Sequence, residues 1–155
     1  DGIPNADILF DVLEFRRIFA RDVAQLAAER ATPEDVARLE EVAKKADAEV
    51  SPDEMFKLDF EFYVELTRAA RNRVFQLLIN TIRLAVQAHA VFFAQVTPPA
   101  TVQRKCHRDV LAGLKAKDPE KTGKAVSEYL QQAQQMLSVL LSTLDSSPDK
   151  ATVSK

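Results

Sequence analysis

Apolar residues return every three or four positions along almost the whole chain, and no stretch alternates apolar and polar as a half-buried strand does. The pattern predicts an all-α protein. A first helix spans about Ala6 to Arg30, with Ile8, Val12, Phe15, Phe19, Val23 and Leu26 stepping along one face and charge on the other. Thr32, Pro33, Glu34 and Asp35 then supply an N-cap, a proline at the first helical position and acids where the helix dipole favours negative charge. The second helix they start runs to about Asp47. Ser51 followed by Pro52, Asp53 and Glu54 repeats the signal, and a Ser with a Glu three residues later is the pattern of a reciprocal capping box. The third helix carries Met55, Leu58, Phe62, Leu66 and Ala69 as one apolar stripe, with Asp59 and Tyr63 beside it, four residues apart on one face.

Asn72 is placed to cap the next helix, whose run from Val74 to Phe93 is apolar nearly all the way round. Such a helix is expected at the centre of the fold, with neighbours on most sides. Gln76, Asn80, Arg83 and Gln87 follow one another on it at four, three and four, a polar stripe that lines a pocket or forms the helix's solvent edge. Pro98 and Pro99 end the run, Thr101 starts a fifth helix to about Lys115, and Asp118, Pro119 and Glu120 start the last, to about Leu144. That final helix has a strong stripe in Ala125, Val126, Tyr129, Leu130, Ala133, Met136, Leu137, Leu140, Leu141 and Leu144. The expected architecture is a single antiparallel bundle of six to seven helices over residues 8–144. Residues 145–155, mostly Asp, Ser and Lys, have too little apolar surface to offset ordering entropy and are expected to form a flexible tail.

Composition narrows the picture. With 155 residues and 46% hydrophobic content the chain makes one domain with a real core. Lys plus Arg number 21 against 23 Asp plus Glu, a net charge of -2 without a long run of either sign, so the chain is a poor nucleic-acid binder by itself. Cys106 is the one cysteine, which excludes an intramolecular disulfide. No signal peptide is apparent, and the best candidate for a membrane span, Val74 to Phe93, is interrupted by Gln76, Asn80, Arg83, Gln87 and His89. A cytoplasmic protein without a membrane partner is expected. Phosphate-binding glycine loops, HExxH pairs and CxxC motifs are lacking, and neighbouring helical residues such as Cys106 and His107 point in different directions. The sequence therefore offers no catalytic constellation, and a non-enzyme is expected.

Four local matches carry a family resemblance. Asp59, Phe62 and Tyr63 precede the helix led by Asn72; EFRRIFARDVAQLAAERAT holds Glu14, Arg16, Ala27 and Ala28; CHRDVLAGLKAKD holds His107; and KAVSEYLQQ holds Tyr129. The resemblance they carry covers nearly everything from Ile8 to Leu137, and this stretch resembles the effector-binding domain of FadR-type members of the GntR transcription regulators. The resemblance implies a homodimer, with an exposed apolar face on the first or fourth helix as interface. It also implies an N-terminal winged helix-turn-helix domain outside this chain, through which alone DNA would be bound, so that the turn-rich residues 1–7, DGIPNAD, are the end of a linker.

In much of that family the positions of Tyr63 and Tyr129 are His, which bind metal together with counterparts of Asp59 and His107. Here only Asp59 and His107 are good ligands, whereas a stable transition-metal site presents three or four protein donors. Neutral phenols with a pKa of about 10 replace imidazole poorly. The expectation is a degraded metal site, with no metal and no cofactor, in which Asp59, Tyr63, His107 and Tyr129 form a hydrogen-bonded cluster that satisfies its own groups or a ligand's head group. Arg16 either pairs with an anionic ligand or bridges Glu14 or Asp59, and Asn80 and Arg83 complete the candidate ligand-binding set. Relatives that keep the metal set are linked to small organic acids; the fatty-acid regulator of the subfamily lacks it and responds to long-chain acyl-CoA. This sequence departs in the same direction, so a fatty acyl-CoA or fatty-acid-like effector is the first expectation. A small carboxylate, with or without metal, and a non-sensing helical scaffold are the alternatives.

Overall fold

The structure is a computed structural model that describes residues 6–145; residues 1–5 and 146–155, which hold most of the expected linker and tail, lie outside the described part. Seven helices follow one another there: α1 (Ala6–Arg30), α2 (Pro33–Asp47), α3 (Pro52–Ala69), α4 (Arg73–Ala88), α5 (Ala90–Gln95), α6 (Ala100–Ala116) and α7 (Pro119–Asp145). No strand occurs among the described residues. The all-α helical bundle expected from the periodicity is the observed fold.

The helix starts follow local chemistry. Thr32 Oγ1 accepts from the Asp35 backbone N–H at 3.3 Å, and Asp35 Oδ2 accepts in return from the Thr32 backbone N–H at 2.9 Å. The reciprocal box thus forms at α2. At α3 only half of it does: Ser51 Oγ accepts from the Glu54 N–H at 3.2 Å, and the Glu54 carboxylate lies instead 4.0 Å from Lys57. The shorter Asp35 is held in place for its role by Arg38 and by Arg71, which reaches it at 2.8 Å. Asn72 Oδ1 accepts from the N–H groups of Val74 and Phe75, and Asp118 Oδ1 from that of Lys121, so both predicted caps form. Helix α6 starts at Ala100 behind Pro99 without a side-chain cap, so Thr101 does not play the starting role expected of it.

The main core gathers α1, α2, α3, α6 and α7 around Val23, Leu39, Phe62, Leu66, Val110, Leu114, Val126 and Leu130. Alanines at 20, 24, 27 and 28 line the inner face of α1 and allow α7 to approach closely along its length. For that reason the buried face of α1 is rotated from the expected stripe: Phe19 and Val23 are inside, but Phe15 is largely exposed, and the side chains of Ile8 and Val12 lie outside the described set. Gly113 marks the crossing of α6 and α7, where a Cβ would stand 2.2 Å from Thr122 Oγ1. A smaller core of Leu13, Val86, Phe93, Val96 and Leu137 closes the other end of the bundle.

The fourth helix departs most from expectation. It breaks at His89, continues as the short α5, and packs on α3 and α5 at the edge of the bundle and not at its centre. Ile79 and Val86 are buried and Phe75 and Ile82 half-buried, whereas Val74, Leu77, Leu78 and Leu84 face outward. An apolar surface on every side predicts burial, but it does not say against what. No described element lies over the outer face of α4.

Candidate functional site

The stripe of α3 places Asp59 and Tyr63 in the interior, where α6 brings His107 and α7 brings Tyr129. His107 Nε2 lies 3.0 Å from Asp59 Oδ1, and the Tyr129 hydroxyl donates to Asp59 Oδ2 at 2.6 Å. A carboxylate only accepts, so His107 donates through Nε2 and both Asp59 oxygens are engaged by protein donors. This is how a carboxylate is tolerated in a dry core, since a buried acid without partners is costly. Phe62 stacks on the His107 ring with centroids 4.1 Å apart, and the rings of Tyr63 and Tyr129 stack at 6.1 Å. The cluster is clamped by rings as well as hydrogen bonds.

Two polar atoms in it are left over. The Tyr63 hydroxyl and His107 Nδ1 are buried with no hydrogen-bond partner. The Tyr63 hydroxyl lies beside the Cys106 thiol without reaching a hydrogen bond of ordinary geometry, while that thiol points to the Ala125 carbonyl at 3.7 Å. Burial first, then Cys106, Asp59 and Tyr129, push the Tyr63 phenol well above its usual pKa; Arg16 acts in the opposite direction. Burial and then Asp59 raise Tyr129 in the same way, and burial and then Asp59 raise the Cys106 thiol. All three stay protonated near neutrality. Cys106 is therefore neither an activated nucleophile nor a thiolate ligand.

Arg16 stands at the wall of a small cavity together with Phe19, Ala20, Val23, Phe60, Tyr63, Thr67, Ile79, Ile82 and Leu130. Its free volume is about 20 Å³, room for about one water molecule. Neither bridge expected of Arg16, to Glu14 or to Asp59, forms among the described residues; its charge is felt instead by the two tyrosines.

Of the seven candidate residues, the fold unites Arg16, Asp59, Tyr63, His107 and Tyr129. Asn80 and Arg83 stand elsewhere. Asn80 is exposed, Arg83 Nη2 donates to its side-chain oxygen at 3.2 Å, and Arg83 lines an outer groove between α3 and α4. They leave the interior site because α4 turns Ile79 and Ile82 toward it, which puts the polar stripe on the flank. Thr67 and Phe60 belong to the site's surroundings and were not singled out from the sequence; Phe62, named for the resemblance, stacks on His107. Phe60 had a legible signal: Phe56, Phe60 and Val64 recur at four and make a second apolar stripe on α3.

A metal of the kind the resemblance implies does not fit this donor set. Among the described residues no group of three or more His, Cys, Asp and Glu converges, and the phenols facing Asp59 are held neutral by burial. The carboxylate that would lead such a site is bonded through both oxygens to His107 and Tyr129. Among the described residues, no helix is long and apolar enough to cross a membrane.

Comparison with known proteins agrees with the fold. Residues 11–132 match the family described as the FCD domain. Over 83 residues the chain is 35% identical to the Nta operon transcriptional regulator of Aminobacter aminovorans, a match covering 52% of this chain and 38% of that protein. The chain thus spans well under half the length of this curated relative. The solved structure of Streptococcus agalactiae GntR superposes with a TM-score of 0.72 at 20% identity, over 86% of this chain and 61% of that one, a likeness of fold. The resemblance carried by Asp59, Phe62, Tyr63 and Asn72 is borne out by a family match that spans more than half of the sequence: the chain belongs to the FCD domain family of GntR-type transcription regulators.

Proposed function

We propose that residues 8–144 form the effector-binding and dimerisation domain of a FadR-like transcription regulator. A small molecule taken into the helical bundle shifts the domain between two arrangements, and a winged helix-turn-helix domain elsewhere in the protein carries that shift to DNA. Such coupling requires different affinities of the effector for the two arrangements. The protein is a regulator and not an enzyme, and it works in the cytoplasm. The observation that carries this reading is the interior constellation: a cation, Arg16, and an unpartnered phenol, Tyr63, face one cavity whose remaining walls are mostly apolar. An acid group would meet a cation and a donor there once the cavity widens.

The effector of first choice is a fatty acyl-CoA or a fatty-acid-like molecule, supported by the apolar walls and by a donor set that does not suit metal-held ligands. A cavity of about 20 Å³ holds no acyl chain, so this effector must displace the α4 wall formed by Ile79 and Ile82. Helix α4 suits such a movement because only one of its faces is packed. A second reading, a small carboxylate seated on Arg16, requires a smaller displacement of the same wall.

Dimerisation is assigned to the outward apolar residues of α1 and α4, Phe15 and Ile18 with Val74, Leu77, Leu78 and Leu84. The two sets meet through Phe19 and Phe75, whose rings contact edge to face at 5.1 Å.

Thermal unfolding against acyl-CoAs, free fatty acids, small carboxylates and divalent metals tests the proposal. A specific binder present at about 100 times its Kd stabilises the folded state by about 2.7 kcal/mol. The expected outcome is a rise in Tm with long-chain acyl-CoA that Tyr63→Phe and Arg16→Gln diminish. A response confined to small carboxylates would replace the first effector by the second, and no response to any compound would leave a structural scaffold.

A further inference from the structure

The groove between α3 and α4 is separate from the interior cluster. It has a volume of about 370 Å³, within the usual range for small-molecule sites, and a floor of Phe56, Phe60, Val64 and Val86. Charge on its rim is unevenly matched. Glu65 is paired with both Arg68, at 2.5 Å, and Arg38, at 3.2 Å, and Lys57 lies 4.0 Å from Glu54. Arg83 has no carboxylate within ion-pair distance among the described residues; its Nε is buried without an acceptor, while its Nη2 donates to Asn80. The buried Nε is out of a ligand's reach, but the half-buried guanidinium of this groove residue carries a charge that no carboxylate of the described residues neutralises, and a ligand's acid group can do so.

We propose that this groove binds an amphipathic monocarboxylate, its acid group on Arg83 and its hydrocarbon body along Phe56, Phe60 and Val64. The planar guanidinium fork matches a carboxylate, and the apolar floor rewards a chain or ring behind it. Glu61 also lines the groove, so each further negative charge on the ligand meets repulsion, which favours one acid group over two. None of Asp59, Tyr63, His107 and Tyr129 takes part, so the site stands or falls independently of the interior one. Phe60 is the wall common to the groove and the interior cavity, and through it a groove ligand touches the same packing.

Calorimetric titration of the whole chain with decanoate tests this, using the unaltered protein, Arg83→Gln, Val64→Trp and Tyr63→Phe. Saturable binding is expected, weakened about tenfold or more by Arg83→Gln, as loss of a charge-assisted pair implies. Val64→Trp is expected to block the groove, with helical circular dichroism checking that it folds. Tyr63→Phe, which alters the interior site, is expected to remove at most a separate interior binding event and to leave the Arg83-dependent event in place. Absence of saturable binding, or affinity indifferent to Arg83→Gln, would overturn the proposal. Binding sensitive to Tyr63→Phe and not to Arg83→Gln would assign decanoate to the interior site and overturn the groove. Binding that fades as protein concentration rises and a dimer forms would make the groove a contact between copies and would overturn it as well.

Discussion

Helices α3 and α4 lie side by side and invert a simple expectation. Helix α3 carries an acid and a tyrosine on its inward face and buries both; α4, with almost no charge, leaves Leu77 68% and Leu84 69% exposed. The difference lies in the supply of partners. Asp59 is admitted to the core because α6 and α7 present one donor to each of its oxygens. The leucines of α4 stay outside because no described element covers them. Polarity is thus neither necessary nor sufficient to place a residue outside; what decides is whether another part of the molecule meets its requirement.

The sharpest way to break this contrast is Asp59→Ala. It leaves the His107 Nε2 and the Tyr129 hydroxyl without their acceptor in the core, at about 1–3 kcal/mol for each buried group left unsatisfied. Urea unfolding should show a midpoint far below that of the unaltered protein, with the slope unchanged. An unchanged midpoint would mean that the cluster does not hold the bundle together.

A buried carboxylate at the junction of α1, α2 and α3 gives an intermediate effect. Burial pushes Asp35 up, but its bonds with Thr32 and Arg71 outweigh that, so its pKa lies below the ordinary value. A depressed folded pKa contributes stability that is present above the unfolded value of about 3.9 and is lost as pH falls through the folded one. Asp35→Asn should therefore cost about 1–2 kcal/mol at neutral pH through weaker hydrogen bonds, and should flatten the fall in stability below about pH 4. Chemical denaturation across that range measures both.

The smallest change in stability is expected on α4. Leu77→Lys with Leu84→Lys removes exposed leucines and should alter the unfolding free energy by no more than about 0.5 kcal/mol for each. Sedimentation should nevertheless show a shift from dimer to monomer, because two charges then occupy the proposed contact. A dimer that persists would move the interface away from this face of α4.

Much of the fold was legible because its signals are local. Thr32, Ser51, Asn72 and Asp118 mark helix starts through bonds spanning two or three residues, and the stripes of α3 and α7 follow from helical spacing alone. The inner half of the site was legible too: Asp59 and Tyr63 are neighbours on one helix. That His107 and Tyr129 join them rests on separations of 48 and 70 residues, for which periodicity carries no signal and only the family resemblance did.

Sequence by itself determined the helix content, the boundaries of most helices and the donor types available to the site, since each depends on residues within a few positions of one another. Tertiary structure decided that the alanine face of α1 meets α7, that α4 lies at the edge with Asn80 and Arg83 turned from the cluster, and that both oxygens of Asp59 are engaged. These depend on which surfaces meet, and a helix with two plausible apolar faces has no local means of choosing between them.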